Sequence, residues 1–168
     1  VACHMPAYLE CYDMAQDLRQ GGTFLLNCPW TSEEMEEKLP VKVKQILAEK
    51  EIRFYCIDGF AIGKEIGLGG RINTILQAAF FAISGILPVE KARNLLKEAA
   101  EKTYGKKGQA VVEQNRKAIE EGMTKFRKIE VKEEWKKPED EKREKQEEPT
   151  SFLHYVKTIQ RKMNSQRG

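Results

Sequence analysis

The residues best suited to chemistry lie around a glycine-rich turn, where Arg71 and Asn73 directly follow the sequence Gly-Leu-Gly-Gly at 67–70. Glycine lets the backbone approach a ligand closely because it has no Cβ. The almost wholly apolar stretch that follows predicts a central helix over 71–84. A helix start offers free N–H groups and the positive end of a dipole, which suit an anion. The turn is therefore either an anion-binding site or a tight turn that only permits helix packing.

The turn was compared with the G-x-G-x-x-G fingerprint of dinucleotide-binding folds, and it departs from that pattern. Ile72 stands where the fingerprint needs a small residue, and a helix rather than a strand is predicted before the turn. We therefore expect no nicotinamide cofactor here. Arg71 can still grip a phosphate through two N–H groups, and the Asn73 amide can hydrogen-bond an adenine or an amide-rich arm.

Two further groups of polar residues are candidates for ligand contact. Lys106 and Lys107 lie between two glycines, which predicts an exposed cationic turn. They are equally explained as the end of a helix whose lysines interact with its dipole. Asn115 and Arg116 follow within the next helix, where a solvated helix face is the alternative.

No self-contained reaction centre is visible. His4 and His154 are far apart in sequence, and neither has a nearby serine or carboxylate at a motif spacing. The cysteines lack a C-x-x-C pair, so zinc and iron–sulfur sites have no local ligand spacing. We expect no catalytic residue and no metal site, and we interpret Cys28 and Cys56, at the ends of apolar strand-like runs, as buried free thiols. The four unclustered cysteines of the sequence fit a reducing compartment. They are Cys3, Cys11, Cys28 and Cys56.

Charge and hydropathy limit the classes of partner. Residues 132–148 contain 14 charged side chains among 17 and carry a net charge of −2, which leaves +5 for the rest of the chain. Such a run is typical of a solvated linker, and +5 is too weak to indicate nucleic-acid binding. The longest apolar run, 75–87, is too short to span a bilayer. We therefore expect a protein that binds neither nucleic acid nor membrane.

Short apolar segments that alternate with helical patterns must position these residues. They predict an α/β fold, a partial Rossmann-like parallel sheet flanked by helices, with a helix-rich C-terminal half. Because the chain opens within a strand and shows only three strands, we interpret it as a fragment whose other strands lie upstream. Strands are predicted near 1–3, 23–28 and 52–57, and helices near 6–20, 31–50 with a kink at Pro40, 60–66, 71–84, 89–103 and 108–128, followed by a short final segment 151–163. The spacing of Thr31 and Glu34 predicts a capping box at the start of the second helix.

Several segments together resemble the pyruvate:ferredoxin (flavodoxin) oxidoreductase family. They occur in one order across nearly the whole chain, which makes the likeness more specific than any single motif. The matched region resembles that family's γ-type catalytic domain. The segments are VACH (1–4), GGTFLLNCPW (21–30), IRFYCID (52–58), IGLGGRIN…QAAFF (66–81), YGKKG (104–108) and MNSQRG (163–168).

The resemblance implies three parts of the chain and a role for the first. Residues 1–131 would be a partial γ-type domain, 132–150 a charged surface linker and 151–168 the start of an interdomain segment. The γ-type domain contributes to coenzyme A binding in the family. By resemblance, the contact residues are Asn73 first, then Arg71 and Arg116, and last Lys106 and Lys107. The family's upstream Ser/Lys phosphate-binding segment is absent, so this would be half a site.

The resemblance also implies the setting of the whole enzyme. Pyruvate is decarboxylated on thiamine diphosphate with magnesium, 4Fe-4S clusters pass electrons to ferredoxin or flavodoxin, and acetyl-CoA is formed. These cofactors belong to other domains of the same enzyme, so the fragment alone should be inactive. The intact enzyme would be a homodimer of the cytoplasm, or of an anaerobic organelle in a protist. The alternative is a structural segment that docks the other domains without touching a ligand.

Overall fold

A computed structural model describes residues 1–137, and its centre is a four-stranded sheet of order β1-β2-β3-β4. β1, β2 and β3 run parallel, with Leu26 of β2 opposite both Cys3 and Cys56. β4 pairs antiparallel with β3, Ile129 lying opposite Phe54. The predicted α/β class is confirmed. The strands are β1 (Ala2–Cys3), β2 (Thr23–Asn27), β3 (Arg53–Ile57) and β4 (Arg127–Ile129).

Seven α-helices surround the sheet within the described range, and the three longest follow one another in the second half. Two short 3₁₀ turns, Gly105–Lys107 and Glu133–Lys136, complete the described elements. None of the helices in 1–137 is long and apolar enough to cross a membrane. The α-helices are α1 (Tyr8–Cys11), α2 (Ser32–Lys38), α3 (Val41–Glu49), α4 (Gly59–Glu65), α5 (Asn73–Ser84), α6 (Val89–Tyr104) and α7 (Gln109–Thr124).

The predicted break at Pro40 is confirmed, since α2 ends before it and α3 begins after it. Thr31 starts α2 with a complete capping box, in which its hydroxyl accepts from the Glu34 N–H and the Glu34 carboxylate accepts from the Thr31 N–H. This cap was predicted from the spacing of Thr31 and Glu34. The predicted helix near 6–20 is wrong in length, because only the single turn α1 forms there.

β4 is a strand that the sequence analysis did not predict. A helix was expected to continue to residue 128, but α7 ends at Thr124 and the chain turns back along β3. Only Ile129 of the three β4 residues is buried, so the strand has no apolar pattern of its own. Its pairing with β3 is therefore decided by tertiary contact rather than by local propensity.

The sheet separates two apolar layers because successive strand residues face opposite sides. One layer contains Phe24, Leu26, Phe54 and Cys56 and packs with α2 and α3. The other contains Leu25 and Ile57 together with residues of α4 and α5. A third cluster, formed by α5, α6 and α7, lies beyond the second layer. The turn before α5 is thus held between the sheet and the helical layer.

The start of the charged run belongs to the folded part of the chain. Trp135 in the second 3₁₀ turn is only 6% exposed and joins the core of the first layer, and Lys132 forms an ion pair with Glu36 of α2. Of residues 132–137 only Trp135 is buried, so the start of the predicted linker is exposed apart from one large apolar side chain that packs into the core. The rest of the linker, 138–150, and the segment 151–168 lie outside the described residues.

Candidate functional site

The glycine-rich turn is open above its backbone. Gly67 and Gly69 adopt left-handed backbone angles, with φ of 79° and 59°. A Cβ placed on Gly69 or Gly70 would meet no atom within 4 Å. Glycine is therefore required at 67 and 69 for backbone conformation, and the space above 69 and 70 is free. We call residues 67–73 the open turn.

The start of α5 at the end of the open turn lacks a cap. Ile72 occupies the N-cap position and offers no side-chain acceptor, so the helix begins at Asn73 rather than at Arg71. No acceptor within 1–137 takes the backbone N–H groups of Asn73, Thr74 and Ile75. Three consecutive donors at the positive end of a helix dipole are the geometry that binds anions in proteins.

Arg71 and Asn73 flank these donors, and both side chains are exposed. The Arg71 Nε–H donates to the Leu68 carbonyl at 3.3 Å, which leaves the terminal guanidinium nitrogens without a partner among the described residues. The Asn73 amide makes no hydrogen bond to any described residue. The structure therefore brings together the two residues that were predicted first and second.

Arg116 is engaged elsewhere. Its guanidinium contacts Glu101 of α6 at 3.1 Å and Glu113 at 3.9 Å. The two residues before it face the other way, since Gln114 donates to the Gly67 carbonyl at 3.5 Å and Asn115 contacts α5. The contacts that the structure gives Arg116 join α6 to α7 and do not include the open turn.

Lys106 and Lys107 are exposed in the 3₁₀ turn between α6 and α7, as predicted. The Lys107 ammonium lies 5.6 Å from the centre of the Tyr104 ring, a cation–π contact. Asn115 contacts α5 and follows Gly108 by seven residues. This separation corresponds to about 10 Å along the axis of α7. The lysines therefore lie one to two helical turns away from the contact with the open turn.

Asn115 is buried, contrary to the solvated helix face considered from the sequence. Its Oδ1 accepts from the Thr74 hydroxyl at 3.0 Å, and its Nδ2–H donates to the Val111 carbonyl at 2.9 Å. The spacing of Asn115 from the buried Val112 and Ile119 places it on the core face of α7, a signal that was available in the sequence. Asn115 holds the first turn of α5 against α7.

Asn27 is a second buried polar residue, and the sequence analysis did not single it out. Its Nδ2–H donates to the His4 carbonyl at 2.9 Å, and its Oδ1 accepts from the Gly59 N–H at 2.8 Å. One side chain thereby joins the carboxyl ends of β1, β2 and β3. The polar residue at the end of an apolar strand was the signal for it. Its hydrogen bonds explain it as a structural residue.

The comparison with protein families decides what kind of domain this is. The family described as "Pyruvate ferredoxin/flavodoxin oxidoreductase" matches residues 1–125. The chain belongs to this family. The match includes the sheet strands β1 to β3, the open turn and α7, so the described site lies inside the family domain.

Relatives in this family include enzymes of bacteria and protists. The chain is 44% identical over 135 residues to pyruvate-flavodoxin oxidoreductase of Klebsiella pneumoniae, which covers 80% of the chain and 12% of that enzyme. It is 38% identical over 156 residues to pyruvate:ferredoxin oxidoreductase of Moorella thermoacetica, covering 93% of the chain and 13% of the enzyme. It is 48% identical over 121 residues to pyruvate dehydrogenase [NADP(+)] of Cryptosporidium parvum, covering 71% and 6%.

The chain thus spans about an eighth or less of the length of these three oxidoreductases. Among residues 1–137, no group of three or more His, Cys, Asp or Glu side chains is placed to hold a metal ion. All four cysteines are free and buried, which confirms the predicted state of Cys28 and Cys56. Within 1–137, the open turn presents backbone N–H groups, the Arg71 guanidinium and the Asn73 amide as hydrogen-bond donors.

Proposed function

We propose that this chain works as part of an oxidoreductase that converts pyruvate to acetyl-CoA and passes electrons to ferredoxin or flavodoxin. Membership of the family and the names of the bacterial relatives support this assignment. The proposal places thiamine diphosphate, magnesium and the 4Fe-4S clusters on other parts of a longer enzyme. We expect the segment alone to be inactive, because we assign no catalytic group among residues 1–137 and place the cofactors on other parts of the enzyme.

Within that enzyme, the open turn contributes to coenzyme A binding. The observation that carries this assignment is the uncapped start of α5, where three backbone N–H groups with no acceptor among residues 1–137 stand beside the exposed Arg71 and Asn73. Coenzyme A offers phosphates, an adenine and an amide-rich arm. A helix start with an arginine matches the phosphates, and an asparagine amide matches the adenine or the arm.

Each of the five predicted residues receives a different role under this proposal. Arg71 binds a phosphate through its free terminal nitrogens, and Asn73 hydrogen-bonds the adenine or the amide arm. Arg116 must first release Glu101 to reach the ligand, so we place it behind the first two. Lys106 and Lys107 lie further along α7, where they supply a positive field rather than a first contact.

Steady-state kinetics of the intact enzyme that contains this segment tests the CoA site. The double variant Arg71→Ala, Asn73→Ala should raise the KM for CoA about tenfold or more, the effect of about 1.4 kcal/mol of lost binding. CoA-independent decarboxylation of pyruvate should stay unchanged. The control is the matched double variant Arg53→Ala, Asn94→Ala, which changes exposed residues of the same types. An unchanged KM for CoA in the first variant would remove the assignment.

An apolar surface favours a second role, the docking of other domains without ligand contact. Ile86, in the loop after α5, is 65% exposed, Leu95 of α6 is 47% exposed, and Val89 at the start of α6 is also exposed. Exposed side chains of this kind mark contact surfaces when they occur together. If docking is the only role, Ile86→Ser with Leu95→Ser should weaken assembly of the intact enzyme, and the Arg71 and Asn73 variants should leave CoA saturation unchanged.

A further inference from the structure

Cys28 and Cys56 lie on one face of the sheet, on neighbouring strands. The backbone N–H of Cys28 donates to the Ile57 carbonyl at 2.9 Å, which extends the pairing of β2 with β3 by one residue. Leu26 is directly opposite Cys56, and Cys28 is two residues further along the same strand. Alternate residues of a strand share a face, so both thiols enter the same apolar layer.

Arg127 completes a cluster with the two thiols. It stands opposite Cys56 in the antiparallel pairing of β3 with β4, and residues paired in this way project to the same face. Its Nη2–H donates to the Trp30 carbonyl at 2.6 Å, which ties β4 to the loop after Cys28. Arg127 is exposed, so its charge lies at the solvent boundary of the cluster.

The surroundings give the two thiols opposite acidities. The pKa of Cys56 is lowered to about 7. The largest cause is a hydrogen bond from Cys28, and the charge of Arg127 acts in the same direction, while burial and the Asp58 carboxylate act against it. The same hydrogen bond and burial raise the pKa of Cys28. At neutral pH, about half of Cys56 is therefore thiolate, whereas Cys28 keeps its proton. In contrast, burial raises the pKa of Cys3.

We propose that Cys28 and Cys56 form a reactive dithiol that a low-molecular-weight disulfide oxidises to an intramolecular disulfide, independently of the CoA site. The Cys56 thiolate attacks one sulfur of the small disulfide, forms a mixed disulfide and releases the first small thiolate. Cys28 then loses its proton to solvent, and its thiolate attacks the Cys56 sulfur and releases the second. The two cysteines lose two electrons, and the small disulfide gains them as two thiols.

Access to the thiols requires a local opening, since both are buried. β4 is the element that opens, because it is an edge strand of three residues with Arg127 and Lys128 exposed. A thiol whose pKa is near the ambient pH is the best attacking group, which makes Cys56 the first to react after opening. The product would link the residue after β2 to β3. Cys28 lies diagonally across from Cys56, and diagonal neighbours on adjacent strands are about 7–8 Å apart, so the two strands must shift when the disulfide forms.

Peptide mapping of the folded full chain tests the pairing. The reduced chain is treated with oxidised glutathione, quenched with acid, alkylated and analysed by mass spectrometry. We expect a Cys28–Cys56 disulfide as the main product, with Cys3 and Cys11 still alkylated as thiols. Burial alone predicts the opposite order, because Cys11 is 6% exposed and Cys56 0%. Earlier oxidation of Cys3 or Cys11, or a Cys56 mixed disulfide that Cys28 does not resolve, would overturn the proposal.

The pH dependence tests the assignment of Cys56 as the attacking thiolate. The oxidation rate of the wild-type chain should rise about tenfold between pH 6 and pH 8, because the thiolate fraction grows through a pKa of about 7. In Arg127→Gln the midpoint should move to higher pH, even if easier opening of β4 raises the absolute rate. Arg53→Gln, an exposed arginine on β3, should keep the wild-type midpoint. A wild-type rate without a midpoint near neutrality contradicts the proposal, whatever the variants do.

Discussion

Glycine and asparagine occur both at the open turn and where α5 packs against α7, but they are exposed in the first region and buried in the second. At the open turn, Asn73 is exposed without a partner and the space above Gly70 is empty. One turn further along, α5 meets α7 at Gly122, where a Cβ would come within 2.4 Å of the Ile75 carbonyl oxygen. Asn115 of α7 is buried there, with both ends of its amide hydrogen-bonded. We call this second region the closed contact.

The difference separates residues that build the fold from residues that remain available to a ligand. The Asn115 amide is hydrogen-bonded inside the chain, and Gly122 lets α5 approach α7 closely, so neither residue is available to bind a ligand. At the start of α5, the Asn73 amide and the terminal guanidinium nitrogens of Arg71 have no hydrogen-bond partner among the described residues. Close contact between α5 and α7 depends on Gly122, but the turn is also packed in part, since a Cβ on Gly67 would lie 3.0 Å from Gln114 Nε2 and the Gly69 carbonyl lies against Gly63 of α4.

The largest effect should come from Gly122→Ala. The added methyl would meet the Ile75 carbonyl and force α5 and α7 apart, which outweighs the better helix propensity of alanine. We expect a loss of about 2 kcal/mol in the free energy of unfolding, measured by urea denaturation. Gly70→Ala is the matched control and should change stability by less than about 0.5 kcal/mol. Equal losses of stability in Gly122→Ala and Gly70→Ala would contradict the difference between the two regions.

Asn115→Ala should lower the free energy of unfolding by less than Gly122→Ala does. This change leaves the Thr74 hydroxyl without its acceptor in a partly buried position. We expect about 1.5 kcal/mol of destabilisation in the same denaturation experiment. Asn94→Ala, on the exposed surface of α6, should lie within about 0.5 kcal/mol of the wild type. A neutral Asn115→Ala would mean that the closed contact does not depend on this amide.

Arg116→Gln should have an effect of about 0.5 kcal/mol or less on stability. Its ion pairs with Glu101 and Glu113 are partly exposed, and such pairs contribute little and are screened by salt. Thermal unfolding at low and high salt checks this, and the difference from wild type should shrink as salt is added. If the KM for CoA of the intact enzyme also rose, Arg116 would belong with the ligand-binding residues.

The smallest effect on stability should be that of Asn73→Ala. The side chain makes no hydrogen bond to a described residue, and alanine is a better helix former at the start of α5. The midpoint of urea denaturation should stay at the wild-type value or rise slightly. A clear loss of stability would show that Asn73 serves the fold, like Asn115.

The sequence was most informative where local patterns decide the structure. The apolar runs of β2 and β3, the capping box at Thr31 and the break at Pro40 are all local, and all were predicted. The open turn was also recognised, because glycines next to an arginine and an asparagine are a local pattern. The likeness to the family, now confirmed over residues 1–125, joined these segments in order.

The remainder depends on partners that are distant in sequence. β4 forms because Ile129 pairs with Phe54 of β3, and residues 132–137 are anchored because Trp135 packs into the core. The engagement of Arg116 depends on Glu101, 15 residues earlier in a different helix. No spacing rule joins such residues, so their roles could be established only from the structure.

Calorimetric titration of the intact enzyme with CoA tests the central claim most directly. The claim is that the open turn holds part of CoA while the closed contact only holds α5 in place. We predict that the double variant Arg71→Ala, Asn73→Ala binds CoA about tenfold more weakly or worse, with an unchanged unfolding midpoint. Wild-type affinity in this variant, together with full stability, would contradict the claim and leave the turn without a role in CoA binding.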